Sequence, residues 1–429
     1  MRVRMLAIGT RGDVQPYVAL GLGLQRAGYR VSVATTANFK TFVEGWGLPC
    51  LTSDLDLQAA VGREKQGPAT GGPDDGASRR LGRGRKARWA VFHMLLDETW
   101  RLSQGADLLL YSSPASLTAP HVAEKLAIPA LPALLQPYLN PTREFPAVMM
   151  PALPLGGRYN RLTYAIFERL TWTFVGRAIN RWRRDVLRLP PHPGPGPFTA
   201  LRRGRVPTLY GISPTVVPRP AEWGEHVHVT GYWFLPPAED WSPPAALADF
   251  LQAGPAPVYV GFGSMASRRP EEMAGLVLDA VRRAGVRAVV ASGWGGLSSS
   301  GASDNVLLIG GAPHDWLFPR MAAVVHHGGA GTTTTGLRAG IPTVIVPFGG
   351  DQPFWGRRVA ALGAGPPPIS RRRLTAERLA SAIRAAVETD SIRQRAAAVG
   401  ETIRAEDGVG NAVRVIEQVV RPTVTRTTA

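Results

Sequence analysis

Short apolar runs alternate with amphipathic stretches along most of the chain. Val3–Ile8 is apolar except for Arg4 and stops at Gly9. Val14–Arg26 follows with helical spacing, and Gly28 stands where a helix C-cap belongs. Val31–Thr35 is again a short apolar run. Strand, helix, strand at this spacing predicts a parallel sheet covered by helices. Leu108–Ser112, Pro129–Leu135 and Thr208–Ile212 are further strand candidates. After the proline-rich Phe234–Leu247 the alternation starts again. Val258–Phe262, Arg287–Ala291, Val306–Ile309, Ala323–His327 and Thr343–Val346 read as strands. Glu271–Ala284, Trp316–Met321, Thr333–Arg338, Pro353–Leu362 and Ala376–Glu388 read as helices among them. The fold class expected is α/β, with two doubly wound halves. Ligands of such sheets bind beyond the carboxyl ends of the strands, and a cleft between two sheets is the natural site.

Two stretches break the pattern. Gly62–Lys86 is rich in glycine, proline and charge and cannot bury a core, so it reads as a mobile loop. Its basic end, residues 79–88, carries Arg79, Arg80, Arg83, Arg85 and Lys86 and is a candidate lid or lipid-headgroup contact. Arg158–Leu189 mixes arginines with aromatics, and Phe167, Leu170, Phe174 and Ala178 share one helical face. That face either packs on the core, walls an apolar pocket or touches a membrane surface. Val409–Val420 reads as a final helix.

The 429 residues suffice for two domains with sizeable cores, and 45% apolar residues mark a globular chain. No apolar run approaches the length of a membrane span, and the N-terminus lacks the long apolar core of a signal peptide. Cys50 is the only cysteine, which excludes an internal disulfide and fits a reducing cytosol. The formal charge of +17 comes almost wholly from arginine. It reflects either base composition of the gene or attraction to anionic lipid or substrate. No nucleic-acid-binding module accompanies it, so nucleic acid is not an expected partner.

The chemistry gathers at strand ends. "HHGGAGTTTT", His326–Thr335, runs from a strand into glycines and a helix start. Glycines let backbone N–H groups approach a ligand, and a helix N-terminus offers unpaired donors with partial positive charge. This is the chemistry of a phosphate cradle, with histidine and threonine as further donors; a glycine turn with Thr332 as N-cap is the plainer alternative. "GFGSM" brings Ser264 to a second such turn, "SGWGG" brings Trp294 to a third, and "PFGGDQPFWG" brings Asp351 and Gln352. In the first half, "GTRGDV" sets Asp13 between a strand-end glycine and a helix, either as an N-cap or as a base.

The run "GAPHDWLFPRMAAVVHHGGAGTTTTGLRAGIPTVIVPFGGDQPFWG" resembles the nucleotide-sugar signature of family 1 glycosyltransferases. "GWGG", "PHDWLFP" and "DQPFWG" are similar to the sterol glucosyltransferase branch, and "GTRGDVQPYVALGLGLQRAGYRVSVAT" resembles both that branch and bacterial antibiotic transferases. The resemblance implies the GT-B architecture, two Rossmann-like domains facing across a cleft. It places an acceptor-binding domain at 1–220, a linker at 221–245, a nucleotide-sugar domain at 246–405 and a helix and tail at 406–429 that cross back. His327 would contact the diphosphate, with Gly329, Ala330, Gly331 and Thr332 as cradle and Ser264 as a further phosphate donor. Ala312 and His314 would meet the base, and Trp294 would offer an aromatic face to it or simply pack. Asp351 and Gln352 would bind sugar hydroxyls. Asp13 would be the catalytic base, with Thr10 near the reacting hydroxyl. "YSSPASL" carries no aspartate near Ser112–Pro114 to orient a histidine, in keeping with a carboxylate base.

The activity implied is inverting transfer of glucose from UDP-glucose to an apolar alcohol, a sterol, terpenoid or polyketide. A transferase of TDP-deoxysugars and a non-catalytic nucleotide-sugar or lipid binder are the rivals, with a nucleotide-sugar epimerase as a third. The UDP-sugar is a co-substrate, and no other cofactor is implied. "DLD" at Asp54–Asp56 has the spacing of a metal-binding pair but lies far from the donor signature, so no metal is expected. His93 and His121 lie in apolar helical stretches and read as packing residues. The expected location is the cytoplasm, with a peripheral contact at the inner face of the membrane through residues 79–88.

Overall fold

The computed structural model describes residues 1–53, 76–192, 194, 196–204, 206–236, 241–262, 270–291 and 304–425. The chain divides into two units. Unit 1 holds Met1–Gly211, Arg219–Leu235 and Gly408–Ala429; unit 2 holds Ile212–Pro218 and Pro236–Asp407.

Unit 1 is built on β1 (Arg2–Leu6), β2 (Arg30–Thr36), β3 (Cys50–Ser53), β4 (Leu108–Tyr111), β5 (Ala130–Leu134), β6 (Thr208–Tyr210) and β7 (Val227–Val229). They form a seven-stranded parallel sheet in the order β3-β2-β1-β4-β5-β6-β7. A sheet covered on both faces needs apolar residues on both, and β4 is buried at all four positions. The helices are α1 (Arg11–Arg26), α2 (Lys40–Glu44), α3 (Gly76–Ser103), α4 (Ala119–Leu126), α5 (Gly156–Trp182) and α6 (Pro197–Arg203). β7 falls within the stretch 221–245, read from sequence as linker. Its three residues, Val-His-Val, are too few to show a period.

Residues 76–86 are helical and open α3, rather than ending a loop. Arg79, Arg80, Arg83, Arg85 and Lys86 therefore stand on a helix. Arginine and lysine are good helix formers, and they offset Gly82 and Gly84. The stretch 62–75 and Asp54–Asp56 lie outside the described residues. α5 passes into a π-helical turn, Arg183–Leu187. There the Arg183 guanidinium is buried, pairing with Glu124 at 2.7 Å and His121 Nδ1 at 2.9 Å.

Unit 2 is built on β8 (Val258–Gly261), β9 (Ala288–Ala291), β10 (Val306–Ile309), β11 (Ala323–His326) and β12 (Thr343–Ile345), all parallel in the order β10-β9-β8-β11-β12. Its helices are α7 (Ala245–Gln252), α8 (Pro270–Ala284), α9 (His314–Leu317), α10 (Ala330–Ala339), α11 (Gln352–Ala361), α12 (Ala376–Glu388) and α13 (Asp390–Ala405). α13 was not legible, because its alanines and arginines carry a weak apolar period. The chain then returns to unit 1 as α14 (Gly408–Thr425), whose Ala412, Ile416 and Val420 are buried in the same core as α1.

Candidate active site

In unit 2, parallel pairing brings strand carboxyl ends to one edge. His326 at the end of β11 is level with Gly261 of β8 and Ile345 of β12. Past His326 the chain turns at Gly328, whose φ of +87° and close approach to Ile345 exclude a side chain. The Gly328 N–H donates to His326 Nδ1 at 2.9 Å, which locks the buried His326 ring as an acceptor there. His327 is half-buried and its ring lies against Gly329; a Cβ at Gly329 would come within 2.5 Å of His327 Nε2. Desolvation pulls the His327 pKa down to about 4, so the ring is neutral at pH 7 and offers one N–H donor. Its Nδ1 is buried without a partner among the described residues.

Gly329 is the N-cap of α10, so the helix starts three residues earlier than the pattern suggests. Its carbonyl takes the Thr333 N–H at 3.0 Å and the Thr333 hydroxyl at 2.9 Å. Ala330, Gly331 and Thr332 form the first turn, where backbone N–H groups have no intrahelical acceptor. Thr332 is therefore not the cap. Thr335 donates to the Gly331 carbonyl at 3.0 Å and Thr334 is buried, so the later threonines serve the helix itself.

The loop after β12 is held by Gln352. Its Oε1 accepts the N–H groups of Phe348 at 2.7 Å and Gly349 at 3.1 Å, while Asp351 Oδ2 accepts Trp355 Nε1 at 2.7 Å. Both polar side chains predicted to meet a sugar are thus also structural. His314 opens α9; its Nε2 lies 3.2 Å from the Tyr259 hydroxyl and its ring stacks on Phe318. Ala312 packs beside that cluster.

In unit 1, Thr10 caps α1 and Asp13 sits in its first turn, so Asp13 is not itself the N-cap. Asp13 Oδ2 accepts the Thr10 N–H at 2.8 Å and the Thr10 hydroxyl at 2.9 Å. The carboxylate folds back over Gly9, where φ is +150° and a Cβ would lie 2.4 Å from Oδ2. Burial pushes the Asp13 pKa up, and the two Thr10 bonds pull against it. At the end of β4, Ser112 accepts the Ile8 N–H at 3.2 Å and Ser113 donates to Gln136 at 2.9 Å.

Residues 3–138 match the N-terminal domain of glycosyltransferase family 28, and residues 277–418 match the C-terminal domain of the erythromycin biosynthesis protein CIII-like family. A sterol 3-beta-glucosyltransferase of Cryptococcus neoformans is 40% identical over 97% of this chain, and one of Arabidopsis thaliana is 38% identical over 96%. The chain spans 27% and 65% of those two proteins. The chain has the GT-B fold. The glycosyltransferase of kitacinnamycin shares its fold with a TM-score of 0.65 at 19% identity, covering 97% of this chain and 98% of that one. A Streptomyces sp. SF2575 glycosyltransferase, complexed with thymidine diphosphate, gives 0.59 at 23% identity over 97% and 99%.

Unit 2 assembles His327, Gly329, Ala330, Gly331 and Thr332 at one strand end and Asp351 and Gln352 at its neighbour. Asp13 and Thr10 form a bonded pair in unit 1. Ser264 and Trp294 lie outside the described residues. His121 is buried, with its pKa lowered to about 3 by burial and the neighbouring Arg183, as befits a packing residue. His93 is exposed beside Trp89 rather than packed. Among the described residues no cluster of histidine, cysteine or carboxylate side chains has metal-site geometry. Sequence reasoning missed Gly9 and Tyr259. The strand-end position of Gly9 was the available signal; nothing local marks Tyr259 as the partner of His314.

Proposed function

We propose that the chain transfers glucose from UDP-glucose to the hydroxyl of a sterol or similar apolar alcohol, giving a β-glucoside and UDP. The observation that carries this reading is the likeness to sterol glucosyltransferases at 37–40% identity over 96–97% of the chain. In this reading Asp13 takes the proton of the acceptor hydroxyl as its oxygen attacks the anomeric carbon from the face opposite UDP. The α10 N-terminus and neutral His327 receive the charge that builds on the departing diphosphate. Asp351 and Gln352 hold sugar hydroxyls. Thr10 tunes Asp13 through its two hydrogen bonds rather than touching the acceptor.

A matrix of UDP- and TDP-sugars against sterols and polyketides, read by mass spectrometry, tests the reading. A sterol hexoside formed from UDP-glucose is the expected product. Transfer from TDP-deoxysugars only, or nucleotide binding without any product, would assign the chain to the antibiotic transferases or to non-catalytic binders.

A further inference from the structure

The outward face of α5 is apolar where a helix on a folded unit is normally polar. Leu162 is 55% exposed, Ile166 37%, Leu170 51% and Phe174 69%. Spaced four residues apart, they form one stripe along the helix. In the segment leading into α5, Met149, Leu153 and Leu155 are exposed as well. Of the face read from sequence as Phe167, Leu170, Phe174 and Ala178, Phe167 meets Tyr138 edge-on, while Leu170 and Phe174 stand exposed.

The exposed charges on α5 itself are all cationic. Arg158, Arg161, Arg169, Arg177 and Arg181 are exposed on α5. Its single acidic residue, Glu168, is buried and bound to Arg202 at 2.6 Å. Arg158, Arg169, Arg177 and Arg181 have no carboxylate partner among the described residues. At the N-terminal end of the stripe, Arg143, Arg158, Arg161 and Arg202 line a cavity of about 350 Å³ together with Leu162 and Ala165. One carboxylate borders it: Glu222 lies 4.0 Å from Arg161 and accepts the Arg143 N–H. Four guanidinium groups against Glu222 and the Glu168 carboxylate held by Arg202 leave the cavity net positive.

We infer that this face docks on an anionic phospholipid surface, the Leu162–Phe174 stripe entering the acyl boundary and the arginine cavity receiving a headgroup phosphate. An apolar stripe edged by arginines suits that interface: apolar groups gain by leaving water, while guanidinium groups reach phosphates bidentately. Arginine stems lie along apolar surface while their heads stay polar, so the two requirements do not conflict on one helix. No described helix is long and apolar enough to cross a membrane, so the contact is peripheral. The inference stands apart from the identity of the sugar acceptor.

Vesicle co-sedimentation tests it, using the full chain and phosphatidylcholine vesicles with and without phosphatidylglycerol. The wild type binds only the anionic vesicles, and added salt weakens binding. Leu170→Ser/Phe174→Ser and Arg158→Gln/Arg161→Gln each weaken it at least about tenfold, about 1.4 kcal/mol. Both double variants keep the wild-type far-ultraviolet circular dichroism and melting temperature, because the altered side chains are exposed. No binding, equal binding to neutral vesicles, or unchanged binding by the variants would overturn the inference. So would an earlier melt of the serine variant, which would mean that the face is packed in solution. A wild-type dimer that becomes monomeric in the serine variant would assign the stripe to a second copy of the chain. Displacement by inorganic phosphate at constant ionic strength would assign the cavity to a soluble anion.

Discussion

Asp13 carries two opposed demands. Burial raises its pKa, which makes it a better base, and the Thr10 bonds keep its charged form accessible. Asp13→Asn removes the proposed proton acceptor but can keep the Thr10 bonds through its amide oxygen. Turnover is expected to fall about a hundredfold or more, with UDP affinity unchanged by calorimetry. The stability sign follows from the same shift. A carboxylate whose folded pKa is raised binds protons more readily folded than unfolded, so its stabilising contribution is present in acid and lost as pH rises through the folded value. Asp13→Asn should therefore melt at or above the wild-type temperature at pH 7, and the difference should vanish below about pH 4. In activity profiles, Thr10→Val removes one bond to the charged carboxylate and moves the acid limb to higher pH. Gly9→Ala forces a Cβ onto Asp13 Oδ2 at a positive φ. A loss of about 1–3 kcal/mol in stability together with a fall in turnover is expected; an unchanged melt with full activity would show that the carboxylate does not fold over Gly9.

At the scale of an element, α10 separates threonines that hold the helix from one that can meet a ligand. Thr333 and Thr335 return their hydroxyls to carbonyls four residues earlier, whereas Thr332 lies in the turn whose N–H groups point out of the helix. Thr332→Val is expected to weaken UDP binding about tenfold with no change in melting, the loss of one hydrogen bond to a charged group. Thr333→Val should do the reverse, costing up to about 1.5 kcal/mol of stability and little affinity. Equal effects of both on UDP binding would remove the distinction. The strand-to-helix turn was readable because glycines, a histidine and a helix start fell together in sequence. Its exact cap was not, since Thr332 and Gly329 are both acceptable N-caps and only the hydrogen bonds choose. Gln352 shows the same limit: its residue type suggested a sugar contact, while its bonds to Phe348 and Gly349 depend on how the loop closes.

For the whole molecule, two parallel sheets were legible because strand ends and glycine turns recur locally. What escaped depends on contacts distant in the chain. β7 is defined by pairing with β6, α3 starts inside an arginine-rich stretch that composition marks as loop, and the outward face of α5 is decided by which neighbours are absent. α14 was legible as a helix, and its return to unit 1 makes the last expectation testable. Ile416 is fully buried beside α1, and Val409 closes on Gly23 so tightly that a Cβ there would lie 2.4 Å away. Unit 1 thus depends on residues more than 170 positions beyond Leu235, its last residue before unit 2 intervenes. Ile416→Ala should cost about 2–5 kcal/mol, and the cost should fall on unit 1 alone. In differential scanning calorimetry UDP raises the transition of the unit that binds it. Ile416→Ala is expected to lower the other transition and leave the UDP-shifted one in place. A variant in which both transitions move down together would mean that the two units melt as one cooperative body, with α14 supporting both.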